Sequence, residues 1–255
     1  MFHTPYIFRN IRILRKVSFS VFRRYTELMK FRYTVERRMG VLMLLDQLDK
    51  IDLHLLCWGV WEADRIDYLK TVVLKRKRGE RIVFLDIGSH GALYPLVLDK
   101  YINFDRIIAF EPEPVSLAQI HANVMMNNLW GKLEIVAKAV SSSSGSAKFL
   151  AHKNNRGQSR LAETQESQDK NIIDVQVISI DEMFDEIGTL LVVKIDVEGH
   201  EREVIMGMQD AITNNSVILQ VEKNDGDILS VEQILTPLGM KRVHSIGQDH
   251  FFVKS

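Results

Sequence analysis

The sequence predicts an α/β fold: a mostly parallel, seven-stranded sheet ending in an antiparallel hairpin, preceded by a helical, basic N-terminal extension. Three observations lead there. After Gly79, short apolar runs alternate with segments of helix length, the separation that parallel crossovers require. The last two runs are joined by only Ile246-Gly247-Gln248-Asp249, a hairpin-length turn. With 255 residues, 46% of them hydrophobic, the chain suffices for one substantial core and is short for two. The expected division is an extension over residues 1–78 and a sheet domain over residues 79–255.

At the N-terminal end, Ile11, Leu14, Val21, Phe22, Tyr25, Leu28 and Met29 recur at helical spacing with arginines and lysines between them, a basic amphipathic helix. Residues 1–40 carry ten basic groups against Glu27 and Glu36, a net +8, and since the whole chain has 33 of each sign the remainder carries −8. Such a helix can pack on the domain or on a second copy, giving a homo-oligomer. It can also lie on an anionic membrane or glycolipid surface through residues 9–38. Next, Ile51 to Cys57 reads as a short strand and Glu62 to about Lys77 as a helix. The run Lys75-Arg76-Lys77-Arg78 before Gly79 reads as a basic last turn and a stop, so no nucleic-acid partner is expected.

The strand candidates that follow are Ile82 to Asp86, Arg106 to Phe110, Leu133 to Ala137, Val175 to Ile180, Leu190 to Ile195, Ser216 to Val221, Met240 to Ser245 and His250 to Val253. Between the third and fourth, the polar segment Ser141 to Asn171 reads as a long loop, and loops of that length tend to be functional. Cys57 is the only cysteine, which excludes an intramolecular disulfide and a cysteine zinc site and suits a reducing, cytoplasmic compartment, peripheral at the inner membrane surface if the basic helix docks there. No run of eighteen apolar residues occurs, so no transmembrane helix is expected.

The first strand ends in Asp86-Ile87-Gly88-Ser89-His90-Gly91-Ala92. Small residues let the backbone approach a ligand, and Asp86 can accept from a cationic amine. The second strand ends in Phe110-Glu111-Pro112, 23 positions beyond Gly88, where a carboxylate can accept both hydroxyls of a ribose. Two strand ends, each with its acid, point to a nucleoside ligand bearing an ammonium. Because the first loop lacks G-x-G-x-x-G, a nicotinamide dehydrogenase is disfavoured.

These two motifs, together with Lys194-Ile195-Asp196-Val197-Glu198-Gly199-His200-Glu201, resemble the FkbM family of S-adenosylmethionine-dependent methyltransferases, whose blocks resemble D-V-G-A-N-x-G, F-E-P and K-x-D-V-E-G-x-E. Ser179-Ile180-Asp181-Glu182 and Trp61-Glu62 resemble smaller family marks, and the similarity runs from about Val41 to the C-terminus. The resemblance implies a Rossmann-like class I methyltransferase fold and S-adenosylmethionine as cofactor. It implies cofactor contacts from Glu62, Asp86, Gly88, Ser89, His90, Gly91, Glu111, Pro112 and Asp196. His90 stands where the family usually has Asn and Ala92 where it has Gly; Gly91 is expected to relieve the same crowding one residue earlier.

In the third block an apolar strand delivers Lys194, Asp196 and Glu198 to its carboxyl end, with alternation directing them to one side until the strand breaks. Charges there are costly unless they pair with each other or with a ligand. Asp196 or Glu198 is the candidate base, with Lys194 orienting the pair or polarising the acceptor; His200 is an alternative base. Glu222, Asn224 and Asp225 could join Asp196 around magnesium, but no metal site is assigned. The expected acceptor is a hydroxyl of a sugar in a glycan or glycoconjugate. Alternatives are a lipid, a protein or a small secondary metabolite, or a non-catalytic protein on the same fold, which cofactor binding discriminates. The chain has no Pro-Pro, hence no Asn-Pro-Pro-aromatic motif of amino-group methylation.

Overall fold

The computed structural model describes residues 32–153, 155–162, 171–223 and 228–254. The expected basic helix from Ile11 to Lys30 lies outside the described residues, as do Asn224 and Asp225. The described chain opens with a hairpin of β1 (Tyr33–Arg38) and β2 (Val41–Asp46), followed by helices α1 (Lys50–Trp58) and α2 (Ala63–Arg76). The strand expected at Ile51 to Cys57 is therefore a helix. Asp49 caps its first turn by accepting from the amides of Ile51 and Asp52, and Gly59, at φ +77°, ends it in a left-handed turn. These caps decide the conformation of a run whose apolar pattern suits either element. Residues 33–38, at the end of the basic segment, are strand.

The large sheet contains β3 (Ile82–Ile87), β4 (Arg106–Phe110), β5 (Leu133–Val136), β10 (Leu190–Ile195), β11 (Ser216–Glu222), β12 (Lys241–Ile246) and β13 (Asp249–Lys254). Their order across the sheet is β12-β13-β11-β10-β3-β4-β5. The five strands β11, β10, β3, β4 and β5 are mutually parallel, and β13 runs antiparallel to both β11 and β12. Helices α3 (Leu93–Ile102), α4 (Pro114–Met126), α5 (Glu201–Met206), α6 (Gln209–Asn214) and α7 (Ile228–Leu235) complete the crossovers.

The central strands are buried on both faces, which explains their continuous apolar runs. Along β3, Ile82 and Phe84 join a core with β2 and α1 to α4, whereas Val83, Leu85 and Ile87 join the opposite core with α5 to α7. Val41, Met43, Leu45, Leu55, Leu69 and Val73 belong to the first of these, so residues 41–76 share a core with the sheet beyond residue 78. Side chains of α4 stand in for a missing strand along β2. Asn127 and Asn123 accept from the amides of Leu42 and Leu44, while Asn127 and Gln119 donate to the carbonyls of the same two residues.

The segment expected as a long loop contains strands among its described residues. It holds β7 (Gly145–Leu150) and β8 (Arg160–Leu161), which with β6 (Ala139–Val140) and β9 (Ile172–Ile178) form a second sheet in the order β6-β9-β7-β8. The candidate strand at Val175 to Ile180 is thus β9, outside the large sheet. Phe149, Val175 and Val177 give this sheet its own small core.

Candidate active site

The carboxyl ends of β3, β4 and β10 converge on one crevice. Register places Lys194 of β10 directly beside Asp86 of β3 on one side and Gln220 of β11 on the other. Past Asp86 the chain turns sharply. Gly88 has φ +84°, and a Cβ there would fall on the carbonyl oxygen of Asp196, so only glycine lets the two strand ends meet. The amides of Gly88 and Ser89 both donate to the Phe110 carbonyl at 3.1 Å, and Ser89 Oγ donates to the Asp86 carbonyl at 2.8 Å. His90 and Ala92 also adopt left-handed backbone, at φ +48° and +60°. Ala92 therefore bears a strain, about 1–2 kcal/mol, that the family glycine avoids. Gly91 does not relieve it, contrary to expectation: its φ is not in the left-handed region, and a Cβ there would meet only ordinary contacts at 3.6–3.7 Å.

Asp86 is only 1% exposed, and its Oδ1 has no hydrogen-bond partner. Burial pushes its carboxyl up to about 6, with Lys194 pulling the other way. Burial alone would lower Lys194, but the charges of Asp196, Asp86 and Glu62 hold it firmly protonated. Its ammonium donates to Asp196 Oδ2 at 2.9 Å and lies 4.7 Å from the centre of the Tyr94 ring. Glu62, raised by burial, accepts from the Tyr94 hydroxyl at 2.8 Å, and that hydroxyl accepts from Gln220 at 2.9 Å. Three strands (β3, β10, β11), the start of α2 and α3 thus place one acidic cage around a single lysine.

Glu111 accepts the His90 amide on Oε2 and the Glu113 amide on Oε1, each at 2.9 Å, and burial still pushes it up to about 7. Each of its oxygens keeps a lone pair for a further donor. His90 turns its ring away from this loop to Asp49, with 3.4 Å between Nε2 and Oδ1. Burial would lower the imidazole, but the carboxylate of Asp49 beside it, then the charge of Asp52, raise it to about 9.

Two adjoining cavities occupy the crevice. The smaller, roughly 430 Å³ with its mouth, is lined by Trp61, Glu62, Asp86, Tyr94 and Lys194; the larger, roughly 620 Å³, by Phe110, Glu111, Pro112, Lys138 and Arg160. Gly88, His90 and Asp196 line both. Residues 156–161 roof the larger cavity, held by Arg156 among Asp46, Asp49, Asp52, Glu113 and Gln119. This clasp was not anticipated from the sequence.

The alternation expected through Glu198 stops short. β10 ends at Ile195, Glu198 has φ +54°, and its side chain opens into a separate groove instead of lying beside Lys194 and Asp196. It is nonetheless pushed up to about 7, by desolvation first and then by Asp196 and Glu201. Glu222, at the end of β11, is raised by burial and then by Asp196. Among the described residues, Asp49, Asp52 and His90 are the one trio spaced to share a metal ion; Glu222 is not in it.

A mixed sheet of seven strands closed by a hairpin, with acids at the ends of its first two parallel strands, defines the Rossmann-like methyltransferase class of α/β proteins. Residues 86–241, more than half of the chain, match the methyltransferase FkbM domain, and the chain belongs to that family. The hexuronic acid methyltransferase AglP of Haloferax volcanii is 29% identical over 152 residues, which cover 58% of this chain and 59% of the relative. The crystal structure of methyltransferase FkbM from Methylobacillus flagellatus KT superposes with a TM-score of 0.50 at 14% identity, over 94% of this chain and 59% of that one. The chain therefore spans about 59% of the length of either.

Proposed function

We propose that this protein is an S-adenosylmethionine-dependent O-methyltransferase acting on a hydroxyl of a sugar in a glycan or glycoconjugate. The observation that carries the cofactor assignment is the pair of adjoining cavities that share Gly88, His90 and Asp196. The smaller presents the unpartnered, buried carboxylate oxygen of Asp86, with Glu62 and Asp196 near it, to an ammonium; the larger presents Glu111 to a ribose. Residues and ligand fit. The sugar acceptor is supported by the relative named as a hexuronic acid methyltransferase.

When bound, S-adenosylmethionine supplies an electrophilic methyl group on a sulfonium sulfur, which leaves as a neutral thioether when the acceptor oxygen takes the methyl. The protein's part is to align that oxygen and remove its proton. Alignment alone can contribute roughly 7–11 kcal/mol. Asp196 lines both cavities and commits only Oδ2 to Lys194, so Oδ1 is placed to accept the hydroxyl proton. Lys194, itself fixed by Asp86 and Glu62, orients that carboxylate.

Calorimetric titration with S-adenosylmethionine and its demethylated product tests the cofactor assignment. Glu111→Ala is expected to weaken binding by about 1–3 kcal/mol and Glu111→Gln by less; equal affinity for wild type and Glu111→Ala would remove the ribose assignment.

Affinity should also depend on pH. A raised acid in the free protein is protonated at low pH, and its ionised form is favoured by the ammonium at Asp86 and by the ribose hydroxyl donors at Glu111, so binding releases protons and strengthens as pH rises. With Asp86 near 6 and Glu111 near 7, affinity is expected to climb between about pH 5.5 and 7.5. A flat profile would mean that neither carboxylate meets the cofactor.

A further inference from the structure

The start of α1 and the loop after β3 bring Asp49, Asp52 and His90 together, with one ligand atom of each within 4.8 Å of the other two. Asp52 and His90 also line the smaller cavity. Methyl transfer as read above gives these three side chains no part.

Spacing alone would make them a cluster of charges, but two buried atoms in it call for a ligand. Asp52 has no exposed surface, and its Oδ1 has no hydrogen-bond partner. His90 Nε2 is buried and lacks one too. It stands 3.4 Å from Asp49 Oδ1, too far for a good N–H···O bond. That separation suits two atoms bound to one ion, since ligands about 2.1 Å from a tetrahedral metal lie about 3.4 Å apart. Both carboxylates are already held in place. Asp49 accepts from the amides of Ile51 at 3.0 Å and Asp52 at 3.2 Å on Oδ1, and from the Arg156 amide at 2.8 Å on Oδ2. Asp52 Oδ2 accepts from the Asp46 amide at 2.9 Å and from Gln119 at 2.6 Å, which leaves Oδ1 to spare.

Charge points the same way. Asp46, Asp49, Asp52 and Glu113 gather around Arg156 and Arg32, four carboxylates against two guanidiniums, so two negative charges remain when the imidazole is neutral. A proton on His90 balances one of them, and a divalent cation in its place balances both. One imidazole with two carboxylates matches a first-row transition ion such as zinc or manganese better than magnesium, which takes oxygen ligands.

We propose that Asp49 Oδ1, Asp52 Oδ1 and His90 Nε2 bind one divalent transition-metal ion, which pins the loop after β3 to the start of α1. The His90 amide holds Glu111 and the Arg156 amide holds Asp49, so the ion ties the loop, the helix and the roof of the larger cavity into one unit. Asp196 is not in the trio, and the role of the ion is structural.

The test is calorimetric titration of the chelator-stripped full chain with Zn²⁺, Mn²⁺ and Mg²⁺. Wild type is expected to take up one equivalent of Zn²⁺ or Mn²⁺, each at least tenfold more tightly than Mg²⁺. His90→Asn installs the residue usual in the family, which favours a folded variant, and should lose at least tenfold in affinity for both ions. Asp52→Asn should lose as much; if it does not fold, His90→Asn decides. Zn²⁺ should raise the thermal midpoint of wild type and leave that of His90→Asn unmoved. With Mn²⁺ bound, electron spin echo spectra should show coupling to an imidazole nitrogen in wild type and none in His90→Asn, which separates this site from ions caught by other histidines. No equivalent bound by wild type, undiminished affinity in His90→Asn, or an imidazole coupling that persists in that variant overturns the proposal.

Discussion

Asp196→Asn is expected to lower turnover by about 10² or more while cofactor affinity stays within about tenfold. The amide keeps the size of the side chain and can still meet Lys194 through its oxygen, but it has no lone pair basic enough to take a hydroxyl proton. Lys194 remains compensated in the variant, because Asp86 and Glu62 also hold it protonated, so the cage should not collapse around an unpaired cation. Glu198→Gln is expected to cost much less, since Glu198 opens into the groove and not into the two cofactor cavities. Single-turnover methyl transfer to a glycan acceptor, with cofactor affinity measured alongside, separates chemistry from binding. Near-wild-type turnover in Asp196→Asn would mean that the proton leaves by another route and that the Lys194–Asp196 pair is structural.

What the sequence made legible follows from how locally each feature is encoded. Runs such as Val83-Phe84-Leu85 and Leu191-Val192-Val193 are apolar because both faces of the central strands are buried, so their positions show without any knowledge of partners. The acids at the ends of β3 and β4 are equally local. The helix at Lys50–Trp58 was concealed because its apolar residues suit either period, and the deciding information sat at its ends, in Asp49 and Gly59. Of the second sheet only β9 showed in the sequence, because β6 and β8 are two residues each and β7 opens on Gly145-Ser146.

The carboxylate of Glu198 shows a different limit. Strand alternation predicted a shared side with Asp196, but a left-handed turn at Glu198 itself reorients it, and nothing in Val197-Glu198-Gly199 except the glycine hints at the turn. The Arg156 clasp is the least legible feature, because its partners lie 37 to 110 residues away. The three acids Asp46, Asp49 and Asp52 recur at intervals of three, which is the one signal that could have pointed to it.

That clasp carries the largest expected effect on stability. The Arg156 side chain is 2% exposed; it donates to Asp46 Oδ2 at 2.7 Å and Gln119 Oε1 at 2.8 Å, and lies 3.5 Å from Asp52 Oδ2, while its own amide donates to Asp49 Oδ2 at 2.8 Å. Arg156→Ala keeps the amide bond and removes the guanidinium, leaving several buried carboxylates with Arg32 and His90 as the remaining basic partners among the described residues. Removing one partner of a buried charge group costs about 3–5 kcal/mol, more than a surface pair could. The loss should depend on pH, and its sign can be fixed. Asp46 and Asp49 are lowered in the folded protein, although burial opposes this, by hydrogen bonds and charges that include Arg156; Asp52 is raised by burial to about 6. Without the guanidinium all three rise, so the folded variant binds more protons than the folded wild type, and its stability deficit relative to wild type grows as pH increases. Urea unfolding at pH 5.5 and pH 8 is expected to show the larger deficit at pH 8, with Arg156→Lys intermediate at both. Because residues 156–161 roof the larger cavity, the variant should also bind cofactor more weakly. A deficit below about 1 kcal/mol at both pH values would mean that water or side-chain rearrangement satisfies these carboxylates, and that the roof is held by packing against Ile51 instead.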